Sequence, residues 1–343
     1  MTTENHNRAD EDPGFVRKIW RSIYRPFMRF CWRSWMKIQH LIRPRVGMLQ
    51  QYRPRTLSIP ASYLQPIELT DYPLISVVTA SLNQGEFIER TINSVLSQNY
   101  PRMEYIIRDG ASTDDTVSIL QRYDPQVVDW CSQADKGQTD ALNEGFARAN
   151  GDIMAYLNAD DLLLPGTLHY VAAYFQQHPD IDVVYGQRIL IDEQDRDIGK
   201  WILPPHEDEV LRWVDYVPQE TLFWRRSLWD RVGSKLDTSF DFAMDWDLLL
   251  RFIDAGAHFA RLPRYLGAFR VHPQQKTSSV LQCQGRHEMG RLHKRYHGRE
   301  VSMLEIRSNT LKYLLKQVIY DMLVRTVDSF RPGKAIVIKK SHD

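Results

Sequence analysis

Between residues 74 and 157, short apolar runs alternate with polar loops and with stretches of helical periodicity. Leu74-Ile75-Ser76-Val77-Val78-Thr79 has the pattern of a buried strand, and a polar turn from Ala80 to Gly85 follows it. Phe87, Ile88, Thr91, Ile92, Val95 and Leu96 then recur at helical spacing. Tyr105-Ile106-Ile107 predicts a second strand, running into Arg108-Asp109-Gly110-Ala111-Ser112-Thr113-Asp114-Asp115. Ser112 and Asp115 have the spacing of a capping box, and Asp114 and Asp115 would face the positive end of the helix they open. Asp109 precedes that cap at a strand terminus, where its carboxylate can accept hydrogen bonds from a base or a ribose. A third strand at 127–131 leads to a helix over 137–149 with Ala141, Leu142 and Phe146 on one side, and Asn150-Gly151 stops it. A fourth strand covers 153–157. This alternation predicts a mostly parallel sheet covered on both faces, with the polar loops gathered at the carboxyl edge where such sheets bind ligands.

The fourth strand ends in Asn158-Ala159-Asp160-Asp161, with Pro165 and Gly166 close behind. Adjacent carboxylates at a strand end suit a hard divalent cation, Mg²⁺ or Mn²⁺. Taken alone, the pair reads equally well as a solvated loop capping the next helix.

Pro165-Gly166 opens a helix with Leu168, Val171, Ala172 and Phe175 on its apolar face, and Val183-Val184-Tyr185-Gly186 is the next strand. Ile189-Leu190-Ile191 and Lys200-Trp201-Ile202 flank a polar run and predict a hairpin. A helix around 208–214 precedes Val217-Pro218-Gln219-Glu220-Thr221-Leu222-Phe223-Trp224. Trp224 and Trp229 are large enough to stack on a sugar, though core packing is the commoner use of each. Leu248, Leu249 and Phe252 define a buried helical face that leaves Asp245 at the helix start, free to point into a cleft, and turns Asp247 elsewhere. Strands at 259–262 and 265–269 lead to Arg270-Val271-His272. From 281 the chain is helical, and Leu311, Leu314, Leu315, Val318, Ile319, Met322 and Leu323 form a stripe best used to dock the helix on its own protein, with membrane contact or dimerisation as alternatives.

Charge changes the picture mainly at the N-terminus. The formal net charge of +1 argues against a chain generally coated by nucleic acid. Yet residues 13–67 hold no Asp or Glu, while Arg17, Arg21, Arg25, Arg29, Arg33 and Lys37 recur every four residues among Trp20, Phe27, Trp32 and Trp35. A basic helix so rich in aromatics reads as an arm lying on an anionic membrane surface, kinked at Pro26. Packing on its own domain, or on a second subunit in a homo-oligomer, is the next reading. Nucleic acid is the last. The three cysteines have neither zinc nor disulfide spacing and suit a reducing compartment. The acidic residues 1–13 are no secretory signal, and no apolar run is long enough to span a bilayer.

Taken in order, Thr79 to Gly85, Asp109 to Asp114, Asp135-Lys136-Gly137-Gln138-Thr139-Asp140-Ala141 and Asn158 to Asp161 resemble the family 2 glycosyltransferases of GT-A fold, a likeness running from about residue 73 to 272. The resemblance implies an α/β, Rossmann-like mixed and mostly parallel sheet flanked by helices. It also implies a nucleotide-diphosphate sugar donor, UDP-sugar favoured, a divalent metal, and inversion at the anomeric carbon. By position, Thr79, Asn83, Asp109, Lys136 and Asp160 would contact the donor, Gln219 and Glu220 would line the acceptor site, and Asp161 and His272 would approach the metal. A single displacement needs one carboxylate to deprotonate the acceptor hydroxyl, and Asp245 aligns with the second member of the family's Glu-Asp pair. Asn158 and Met244 stand where the family pattern carries acids. The implied organisation is a tail and arm at 1–43, a proline-rich linker at 44–72, a catalytic domain at 73–280 and a helical extension at 281–343. The catalytic domain divides into a nucleotide-sugar half (73–164) and an acceptor half (165–280). Together with the arm, this reads as an enzyme on the inner face of the plasma membrane extending a glycan or lipid-linked acceptor in envelope polysaccharide synthesis. A sugar-phosphate nucleotidyltransferase or a non-catalytic sugar-nucleotide scaffold are the alternatives.

Overall fold

The computed structural model describes residues 47–65, 67–123, 129–276, 284–330 and 335–338. The basic aromatic arm lies outside the described residues, as do positions 127 and 128 of the third expected strand. The proline-rich stretch is more ordered than its prolines predict. It holds β1 (Ser58–Pro60) and straps itself to the body, with Leu57 and Ile59 buried and Tyr52 Oη donating to Asp197 at 2.5 Å.

β2 (Ile75–Ser81), α1 (Ile88–Leu96), β3 (Met103–Asp109), α2 (Thr116–Tyr123), β4 (Asp129–Ser132), α3 (Gln138–Phe146) and β5 (Ile153–Tyr156) reproduce the alternation in the sequence. The chain continues through β6 (Leu162–Leu163), α4 (Thr167–Gln177), β7 (Val183–Ile191), β8 (Asp197–Trp201), α5 (Asp208–Leu211), β9 (Phe223–Arg225), α6 (Arg226–Arg231), α7 (Met244–Asp254) and β10 (Phe259–Arg270). It ends with α8 (Arg286–His297), α9 (Met303–Phe330) and β11 (Ala335–Val337), which pairs antiparallel with β1. The two strands expected at 259–269 are one, running through Pro263 with register shifts against β7 between Arg261 and Gly267. The helix expected at 208–214 is a single turn.

The main sheet has the order β4-β3-β2-β5-β9-β7-β10-β6, with β8 pairing on β7. β2 pairs parallel with both β3 and β5, while β9 runs antiparallel between β5 and β7. Strand alternation sends Val78, Ile106, Met154 and Tyr156 into one core with Leu142, Phe146 and the α7 face. Val77, Ile107, Ile153 and Ala155 go into the other, with Ile88, Ile92 and Leu168. Trp224 and Trp229 are fully buried around Phe146, so neither is available to stack on a sugar.

α9 departs from expectation. It docks through Tyr313, whose ring lies 4.5 Å from that of Tyr216, and through an Arg325–Asp321 pair whose guanidinium also reaches Gln51 and Lys200. Much of the leucine stripe therefore faces outward.

β10 passes the 3₁₀ turn Gln219–Thr221 most closely at Gly267, where a Cβ would lie 2.8 Å from the Glu220 carbonyl oxygen and 2.7 Å from its Cγ. Gly267→Ala must push the turn off the sheet, and we expect a loss of about 1–3 kcal/mol. The measurement is urea unfolding, read as a lower midpoint at unchanged slope.

Candidate functional site

The polar loops do gather at the carboxyl edge. Ser81, Asp109 and Ser132 lie in register at the ends of β2, β3 and β4. Asp109 is buried and accepts from Ser112 N (2.9 Å), Ser112 Oγ (2.5 Å) and Ser132 Oγ (2.6 Å), so its carboxylate organises two loops. Asn83, at φ 52°, donates its N–H to Ser112 Oγ (2.7 Å) and accepts from Thr113 N (2.9 Å). The cap on α2 is Asp114, which accepts from Thr116 N at 3.0 Å and Gly85 N at 2.8 Å; the expected Ser112–Asp115 box does not form because Ser112 is held by Asp109. Thr79 is displaced from its expected role. It sits two residues inside the strand end at 0% exposure, its hydroxyl 3.1 Å from Tyr105 Oη. Lys136 is exposed and lines neither of the cavities described next.

Two cavities meet above this edge. One, of 370 Å³, is walled by Ser81, Gln84, Asp135, Asp160 and Gln274. The other, of 340 Å³, is walled by Arg188, Asp215, Tyr216, Glu220, Asp245 and Trp246. Gln138, Asn158, Asp241, Phe269 and Lys276 border both. Asn158 is the hinge of an amide chain: its Oδ1 accepts from Gln138 Nε2 (2.8 Å), and its Nδ2 donates to Gln219 Oε1 (3.0 Å). An Asp at this position would set a carboxylate against Gln219 Oε1 and Asp161, so the departure from an Asp-x-Asp pattern suits its surroundings.

The adjacent acids Asp160 and Asp161 have opposite fates. Asp161, expected at a metal, is 1% exposed, and its Oδ1 accepts the Arg270 N–H at 2.9 Å. Burial, then the neighbouring Asp160 and Glu220, push its pKa well above the ordinary range. Asp160, two positions after Asn158, lines the first cavity, and its Oδ2 lies 2.9 Å from His272 Nε2. Desolvation disfavours the imidazolium of His272, but the bonds to Asp160 and Gln274 outweigh it and raise its pKa. Arg270 fastens this corner. Its Nε donates to the Asp160 carbonyl (2.7 Å), its Nη1 to the Asp192 carbonyl (3.0 Å) and to Asp195, and it lies over the Phe87 ring.

Asp245 is the second residue of α7 and opens onto the second cavity, with Oδ1 accepting from Trp246 N at 2.9 Å. Burial raises its pKa above the ordinary value, opposed by that N–H, by Arg188 and by Lys276. Met244, beside it, packs its sulfur against Thr139 Oγ1. Gln219 and Glu220 border the cavity with their polar atoms engaged: Gln219 Nε2 donates to the Tyr156 carbonyl (2.7 Å), and Glu220 makes a two-pronged pair with Arg188 (2.8 and 2.5 Å). Asp215 escaped the sequence reading. It faces the same cavity, among the described residues accepts only from Val217 N (3.2 Å), and burial followed by Asp245 drives its pKa well up. No motif marks it, although a charged Arg188 inside the apolar run of β7 was a visible sign that carboxylates lay opposite. Glu288 of α8 also went unseen. Its carboxylate accepts the N–H groups of Asp241 (3.2 Å), Phe242 (2.8 Å) and Ala243 (2.9 Å), immediately before α7.

A family profile for Glycosyl transferase family 2 matches residues 76–234. MT1564 of Mycobacterium tuberculosis, described as an uncharacterized glycosyltransferase, is 31% identical over 189 residues, which are 53% of this chain and 70% of that protein. The O-antigen biosynthesis protein RfbC of Myxococcus xanthus is 30% identical over 265 residues, 71% of this chain but only 20% of the relative. Among solved structures, S. aureus TarS 1–349 in complex with UDP-GlcNAc has a TM-score of 0.53 at 16% identity, covering 75% of this chain and 76% of that one. Of the longer TarS chain, 43% is covered. The mannosyltransferase PcManGT of Pyrobaculum calidifontis, in complex with GDP-Man and Mn²⁺, has a TM-score of 0.53 at 17% identity and covers 88% and 84%. At such identities the structures speak for the GT-A fold alone. The profile match and the relatedness to MT1564 go further, and the chain belongs to the family 2 glycosyltransferases.

Proposed function

We propose that this glycosyltransferase inverts configuration and depends on a divalent metal. It would move a sugar from a nucleotide-diphosphate donor, UDP-sugar favoured, to a hydroxyl of a glycan or lipid-linked acceptor in envelope polysaccharide synthesis. The observation that carries the reading is the junction of the two cavities at Asn158, with Asp160, backed by the buried His272, on one side and Asp245 on the other. The UDP-GlcNAc and GDP-Man in the TarS and PcManGT complexes support a nucleotide-sugar donor, and RfbC supports a place in envelope glycan assembly. The arm at 13–43 is assigned, on composition, to the anionic inner face of the plasma membrane. No helix among the described residues is long and apolar enough to cross a membrane.

In this reading the acceptor hydroxyl lies in the second cavity and attacks the anomeric carbon. Asp245 takes its proton as the new C–O bond forms, and the bond to the diphosphate breaks on the opposite face. A raised pKa makes Asp245 a stronger base than a solvated Asp. Asp109, Asn83, Asp160 and the loops they order would cradle the nucleotide side, and Gln219 and Glu220 would shape the acceptor side. Among the described residues no group of three or more His, Cys, Asp or Glu could hold a metal. Asp160, on the wall of the first cavity, and the buried His272 held against it would nevertheless hold a divalent ion. Bound there, it would supply positive charge against the departing diphosphate. Asp161 leaves the proposed ligand set because its oxygen is taken inside the protein.

Asp245→Asn is expected to lower kcat by about 10²–10⁴-fold while the donor still raises the melting temperature. Turnover close to wild type would remove Asp245 as the base. Since the ionised carboxylate is the active form, kcat/KM should rise with pH through a limb above the ordinary Asp value of 3.8. Asp215→Asn, by removing a like charge, should move that limb to lower pH.

A thermal-shift panel of UDP-, GDP-, dTDP- and CMP-sugars should give one nucleotide whose stabilisation grows with Mn²⁺. The metal-dependent part should vanish in His272→Ala; a shift indifferent to Mn²⁺ would sink the metal assignment. Glu288→Ala should lower both the melting temperature, by the equivalent of roughly 1–2 kcal/mol, and kcat, because the 241–243 turn leading into α7 loses its anchor.

A further inference from the structure

α9 carries its apolar residues on the wrong side for a helix that only serves its own core. Leu304, Leu311, Leu315, Ile319 and Leu323 are 75%, 54%, 56%, 55% and 58% exposed, whereas the inward side holds Thr310, Tyr313, Gln317 and Asp321. At about 100° per residue, the first four fall within about 80° of one another and run for more than 20 Å along the axis. Arg307 and Lys312 lie on the two flanks of this stripe, both exposed. The two carboxylates from 303 to 326 are already engaged and do not balance them: Glu305 is paired with Arg299, and Asp321 is buried with Arg325. A second copy of this helix would bring like charges together along both flanks, so the surface is poorly complementary to itself. An anionic lipid surface satisfies both features, taking the leucines into the acyl boundary and the cations at the headgroups.

We infer that the outer face of α9 is a lipid-docking surface for anionic membranes. The inward face gives this a consequence for the substrate. Tyr313 stacks behind Tyr216, which walls the second cavity, and Arg325 holds Lys200 next to Trp201, another wall of that cavity. Docking α9 on a bilayer would bring the Tyr216 and Trp201 wall of the acceptor cavity to within one helix of the membrane surface, near a lipid-linked acceptor. The docking itself rests on the α9 surface alone; the consequence for the acceptor rests on the proposed function.

The test is cosedimentation of the full chain with phosphatidylcholine vesicles, with and without phosphatidylglycerol, titrated in lipid. Leu311→Glu/Leu315→Glu/Ile319→Glu alters exposed positions only and should weaken binding to the anionic vesicles by roughly tenfold or more. Its melting temperature and its nucleotide-sugar shift should stay at the wild-type values. Arg307→Gln/Lys312→Gln keeps the leucines and should reduce the preference for phosphatidylglycerol. An unchanged lipid midpoint in both variants would overturn the inference. So would a wild-type dimer in sedimentation velocity that the triple variant converts to monomer while vesicle binding persists. If donor binding fails in the wild type while vesicle docking behaves as described, the functional reading falls and the docking surface stands.

Discussion

Asp161 accepts the backbone N–H of Arg270 in the interior, and the Arg270 guanidinium returns to the carbonyl of Asp160 and to the 192–195 turn. Both groups are almost free of water, and the cost of that desolvation is offset by the bonds they make, although Nη2 of Arg270 has no partner among the described residues. These bonds lock the end of β5 to the end of β10, two strands that are not neighbours in the sheet. With Asp161 turned inward, Asp160 is left on the cavity wall, and the chain leaving Arg270 delivers His272 against it two residues later. The polar pair that we assign to the metal and diphosphate thus follows from a network of bonds made inside the protein.

The second cavity is governed by an uneven distribution of partners. Arg188 is committed to Glu220, and Lys276 to Asp241. Asp215 and Asp245 form no ion pair among the described residues; each accepts one nearby backbone N–H. A general base held in a permanent salt bridge is a poor proton acceptor, because the cation stabilises the form that has already lost its proton. Here the cations are close enough to moderate the buried carboxylates and are engaged elsewhere. The same distribution explains why Gln219 and Glu220 shape the wall, although their polar atoms already have protein partners.

The fold was largely legible because each strand and helix of the first half announces itself through a single period, and the parallel order follows from their alternation. The loop acids were legible as a group, since strand ends in such a sheet converge. Their individual roles were less so. Choosing between Asp160 and Asp161 required knowing which faced Arg270, a residue 109 positions after Asp161. Thr79 looked like a strand-end residue, but β2 extends to Ser81 and leaves it inside. Asp215 and Glu288 carry no local pattern at all, because what gives them meaning is a cavity wall and a helix start brought to them by the tertiary fold.

The C-terminal extension illustrates the last of these limits. A boundary near 281 is sensible by composition, yet α8 is mechanically part of the catalytic half. Glu288 gathers three consecutive N–H groups ahead of α7, and Arg295 pairs with the buried Asp247 on that same helix. These N–H groups belong to the turn that delivers the chain into α7. Ala243, the residue before α7, supplies no capping side chain, and its own N–H is held by a carboxylate 45 residues downstream. The orientation of Asp245, two residues further on, is therefore set by the extension as much as by the sheet, and through α8 it is linked to the part of the chain whose outer surface we assign to the membrane.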